Sequence, residues 1–79
     1  MLNYKECSIE AFNAAMKEKN KDIKNISDTN LYILYTKFKA DALTCFHART
    51  SYASDLGVSS ENQAETYKKE LQSRGINVA

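Results

Sequence analysis

The chain contains no proline and no tryptophan, and it has two glycines, two cysteines and one histidine. Without proline no helix is cut by a missing amide donor, and Gly57 and Gly75 are the two places where a left-handed backbone costs little. The composition favours helices joined by short connections. One histidine cannot build a zinc site alone, and neither Cys7 nor Asp41 stands at a ligand-pair spacing from His47. No metal and no cofactor are therefore expected. Cys7 and Cys45 lie far apart in sequence and allow at most one bridge. The start of the chain lacks the apolar core of a signal peptide, so two reduced thiols at helix-packing positions and a cytoplasmic protein are expected. No apolar run approaches the length of a membrane span, and no membrane partner is expected.

An excess of one charge is also missing. Eleven basic residues face ten acidic ones, for a net charge of +1. The balance holds along the chain: five lysines against four acids in residues 1–26, then three against three in each of 27–57 and 58–79. No basic stripe of the kind that dominates nucleic-acid binding is present, and nucleic acid is not an expected partner.

With 79 residues the chain makes a single domain, 1–79. A domain this small buries only about 60% of the surface its unfolded chain exposes, so its stability benefits from a partner. The pattern predicts an all-α fold of three helices: a long central helix at about 28–56, flanked by shorter antiparallel helices at about 8–20 and 61–74. Ser27 is the central N-cap, Asp28 complements the helix dipole, and Ile26 with Leu31 has the spacing of a hydrophobic staple. Gly57 is expected to end that helix in a left-handed cap. Ser8 caps the first helix, whose apolar row is Ile9, Phe12 and Met16. Ser60 and Gln63 have capping-box spacing for the third helix, which Gly75 ends with Ile76 folded back on Leu71.

At 100° per residue, Leu31, Leu34, Tyr35, Phe38, Ala42, Cys45, Phe46, Tyr52, Ala53 and Leu56 share a wedge about 120° wide, the expected core face. Ile33, Thr36, Ala40, Leu43 and His47 form a second row on the other side. Two short helices cannot cover both sides of a long one, so this row, with Tyr32, is expected to bind a partner. Arg49 falls within the core wedge and is a candidate anion anchor, since a guanidinium makes forked hydrogen bonds. Catalysis is not expected: Cys45 and His47 stand about 160° apart on the helix and cannot act as a pair.

The expected function is a non-enzymatic protein-interaction module, an inhibitor, adaptor or regulator, that binds a protein partner or itself. Two other readings have residues behind them. Ala53 followed by Gly57-Val58-Ser59 resembles the turn of a helix-turn-helix, which implies a DNA-binding regulator using residues 53–74; Gln63 stands where that motif has an apolar residue. The other is a small-anion or nucleotide binder using Arg49 in a dimer groove.

Overall fold

A computed structural model of the chain describes residues 2–47 and 51–78, without the side chains of 51–54. Among the described residues the fold is all-α. Helix α1 spans Ile9–Glu18, α2 spans Asp28–His47 and α3 spans Ser51–Ser73, with a short 3-10 turn at Ile23–Asn25 between α1 and α2. Among the described residues α3 has 23 residues and α2 has 20.

The helix starts follow local chemistry. The Ser8 side chain accepts from the Ala11 amide and caps α1. The Ser27 hydroxyl accepts from Asn30 N, and Ile26 and Leu31 are both buried, as the staple requires. Helix α1 ends at Glu18, and Asp22 opens the 3-10 turn by accepting from Lys24 N. At the end of α3, Gly75 has φ +78°. Ile76 N donates to Leu71 O at 3.0 Å and Gly75 N to Gln72 O at 3.0 Å, the paired bonds of a Schellman cap.

Gly57 behaves differently from expectation. It is not a cap: it lies inside α3, is buried, and lets α2 approach closely. A Cβ built there would lie 2.8 Å from the Phe46 ring and 3.2 Å from Cys45 Cβ. A single helix over 28–56 is thus replaced by two, α2 and α3, packed as an antiparallel pair. Three contacts step along it in opposite directions: Asp28 with Arg74, Phe38 with Tyr67, and Phe46 with Gly57. Ser60 and Gln63 consequently sit mid-helix rather than in a capping box, and Gln63 Nε2 donates to the Tyr67 hydroxyl.

The core occupies one end of this pair. Leu31, Ile33, Leu34, Tyr67 and Leu71 are its largest sealed side chains, and Ala15 brings α1 close against them. Residues of α1, Tyr4 and Cys7 of the N-terminal turn, and the C-terminal Ile76 and Val78 belong to or pack against the same core as Leu31, Ile33 and Leu34 of α2. Past Phe38, α2 continues to His47, nine more residues or about 13 Å at 1.5 Å per residue. Along this stretch Leu43 and Phe46 are exposed, and so are Leu56 and Val58 on α3. Ile9, expected in the inner row of α1, is exposed as well. Cys7 and Cys45 are both free and half-buried.

Candidate functional site

The outer face of α2 carries an open groove of about 290 Å³, at the bottom of the range of small-molecule pockets, about 300–1,000 Å³. One wall is the helix stripe Tyr32, Tyr35, Thr36, Lys39, Ala40 and Leu43. These positions recur at three- and four-residue steps, which places them on one side of a helix. The other wall is the N-terminal turn, Asn3, Tyr4 and Lys5.

That turn is held by its own hydrogen bonds. Asn3 Oδ1 accepts from Lys5 N and Glu6 N, both at 3.0 Å, and Asn3 O accepts from Glu6 N and Cys7 N. An asparagine side chain that ties its own backbone two residues on forms such turns readily. Tyr4 N then donates to Thr36 Oγ1 at 3.0 Å and pins the turn to α2. The Thr36 proton is shared between the Tyr32 and Ile33 carbonyls at 3.1 and 3.0 Å. Thr36 therefore positions the wall, and its hydroxyl is already used.

The groove is apolar at its base and cationic at its edge. The Tyr32 and Tyr35 rings lie 6.2 Å apart and tilted, and Leu43 stands 53% exposed at one end. Lys5 and Lys39 supply positive charge, and among the described residues no carboxylate lines the groove. Among the described residues neither lysine is in an ion pair; Lys5 Nζ lies 5.9 Å from the Tyr4 ring centroid. The nearest acid along the helix, Asp41, is taken by Lys37.

The structure thus brings together four of the six residues expected to bind a partner: Tyr32, Thr36, Ala40 and Leu43. His47 is exposed one turn beyond Leu43 and does not line the groove. Ile33 is a correction. It is 0% exposed and belongs to the core cluster, against which Tyr4 and Cys7 of the N-terminal turn, residues of α1, and Ile76 also pack. Arg49, with Tyr52 and Ala53 of the expected core wedge, lies outside the described residues or side chains. Lys39 and the N-terminal turn were missed. Lys39 shares the stripe of Thr36 and Leu43, and Asn3 is a turn-former, so both had a local signal; their meeting did not.

A second hollow, of about 390 Å³, lies between α1 and α3 and is lined by Lys19, Asn20, Phe38, Ser59, Ser60 and Gln63. Its one apolar surface, the Phe38 ring, already faces the ammonium groups of Lys19 and Lys37 at 5.9 and 4.7 Å. Among the described residues no group of histidine, cysteine and carboxylate side chains is placed to hold a metal ion. The helix-turn-helix is a further correction. Residues Gly57 to Ser59 are helical and continuous with the rest of α3, so the turn that would orient a recognition helix is not formed. No helix is long and apolar enough to cross a membrane among the described residues. No protein-family model matches this chain, and neither a curated protein nor a solved structure matches it.

Proposed function

We propose that this chain is a small non-enzymatic interaction module, an inhibitor, adaptor or regulator, that docks on protein through the groove between the N-terminal turn and α2. One observation carries the reading: a preformed groove, apolar inside and rimmed by cations that are in no ion pair among the described residues, runs into Leu43, which is half exposed. Exposed apolar surface of this kind on a small domain marks contact with another protein. The groove's open shape favours this over a metabolite, since it can seat side chains of a partner but does not enclose a small molecule.

The test compares the wild-type chain with Leu43→Asp, by sedimentation and by co-purification with protein from the native host. The variant is expected to keep its fold, with stability within about 0.5 kcal/mol of wild type, as befits a surface position. It is expected to lose association. A strict monomer at high concentration that retains no partner overturns the proposal. So does unfolding of Leu43→Asp, since Leu43 would then belong to the core.

A further inference from the structure

We infer that the groove's occupant is the acidic stripe on α3 of a second copy of this chain, an inference that rests on the docking reading above. The run Ser51–Tyr67 carries Asp55, Glu61 and Glu65 and no lysine or arginine. All three acids are exposed, and among the described residues none is in an ion pair. At helical spacing, Asp55, Val58, Glu61 and Glu65 fall within one exposed sector of α3, about 120° wide, that borders the buried Gly57, Ala64 and Tyr67. Val58 is 50% exposed in the middle of those carboxylates. The stripe is therefore an apolar knob flanked by negative charge, closed at its far end by Lys69.

The groove has the complementary order. Leu43, Ala40 and the tyrosine rings offer an apolar bed, and Lys5 and Lys39 flank it. Seating Val58 against Leu43 would cover two half-exposed aliphatic side chains and bring Glu61 and Glu65, one helical turn apart, towards the lysines. Each copy carries both surfaces. A two-fold arrangement therefore makes the contact twice, which helps a small protein reach the roughly 1,200–2,000 Å² of a stable interface. The net charge of +1 conceals this asymmetry, because the basic and acidic surfaces cancel in the sum.

Charge reversal tests it on the intact chain. One variant carries Lys5→Glu and Lys39→Glu; the other carries Glu61→Lys and Glu65→Lys. Circular dichroism and urea unfolding confirm that each is folded, and sedimentation equilibrium measures association in low salt and in high salt. The wild type is expected to self-associate and to weaken as salt is added. Each variant alone is expected to lose at least about tenfold in association, the sum of two exposed ion pairs. An equimolar mixture of the two is expected to associate again, since each groove then meets a stripe of opposite charge. Association of both variants that is as strong as that of the wild type overturns the inference and leaves the docking reading standing on its apolar part. Failure of the mixture to re-associate overturns it as well. A monomeric wild type also overturns it, and the docking reading is then decided separately by whether Leu43→Asp abolishes capture of a different protein.

Discussion

Arg74 Nη1 donates to Asp28 Oδ1 at 2.7 Å, joining the residue after α3 to the first residue of α2. The same guanidinium reaches the segment between α1 and α2, donating to Ile26 O at 2.7 Å and Ile23 O at 2.9 Å, while its Nε donates to Glu70 at 3.1 Å. One side chain thus bonds a carbonyl at each end of the 3-10 turn segment, Ile23 and Ile26, and ties it to the Asp28–Arg74 end of the helix pair. The Asp28 carboxylate, helped by Glu70, holds the guanidinium's pKa above its ordinary value, so the clamp stays charged.

Arg74→Ala should destabilise the fold by about 2–3 kcal/mol, because it leaves the Ile23 and Ile26 carbonyls without their charged donor; the Asp28 pair adds little, being exposed. Arg74→Lys should recover less than half of this, since an ammonium cannot span the fork. Urea titration of the three proteins checks both values. A loss below about 0.5 kcal/mol for Arg74→Ala would show that water replaces the clamp.

A second tie on the same segment is sensitive to pH. Glu18 Oε2 accepts from Asn30 Nδ2 at 2.7 Å and from Ser27 N at 3.4 Å, and Lys21 lies nearby. The Asn30 hydrogen bond is the largest influence and draws the carboxyl pKa below the ordinary glutamate value, against partial desolvation; Ser27 and Lys21 act in the same direction as Asn30. The stability Glu18 contributes is therefore complete above the ordinary glutamate range and is lost as pH falls below it, through the folded value. Glu18→Gln should be less stable than wild type at about pH 7, and the gap should narrow as pH falls below the ordinary glutamate range. A gap that stays constant with pH would show that Glu18 titrates alike in the folded and unfolded chain.

Gly57 and Phe46 should show coupled behaviour. In a helix interior alanine is favoured over glycine by about 1 kcal/mol. Gly57→Ala should nevertheless destabilise, by about 1 kcal/mol net, because its methyl would collide with the Phe46 ring and press on Cys45. In a Phe46→Ala background the ring is gone, and the penalty of Gly57→Ala should shrink or reverse. A double-mutant cycle measures that coupling. Strict additivity would mean that the two helices do not touch there.

These positions show where sequence is informative. Ser8, Ser27 and the Gly75–Ile76 ending were legible because a cap is completed by residues within one turn of it. Gly57 was not, since a left-handed cap and a close helix approach both select glycine, and the choice rests on Phe46 eleven positions earlier in the chain. Between His47, where the description of α2 stops, and Ser51, where that of α3 starts, the sequence has neither glycine nor proline to announce a second helix. At the groove, the stripe from Tyr32 to Leu43 was legible from helical spacing. Its second wall depends on Tyr4 meeting Thr36, a contact across 32 positions that no local pattern encodes.

Ile33 and Leu43 belong to one row by spacing and should separate cleanly by experiment. Ile33 is sealed among the residues that converge on the start of α2, whereas Leu43 lies beyond the core. Ile33→Ala should cost about 2–5 kcal/mol, through lost burial and the cavity left behind. Leu43→Ala should change stability by no more than about 0.5 kcal/mol. Association should follow the opposite order: it should fall with Leu43→Ala, and it should survive Ile33→Ala under conditions where that variant remains folded. Unfolding curves and sedimentation on the same samples separate the two effects. Equal stability losses at both positions would mean that α2 is enclosed along its whole length, and the groove would lose its claim to be a docking surface.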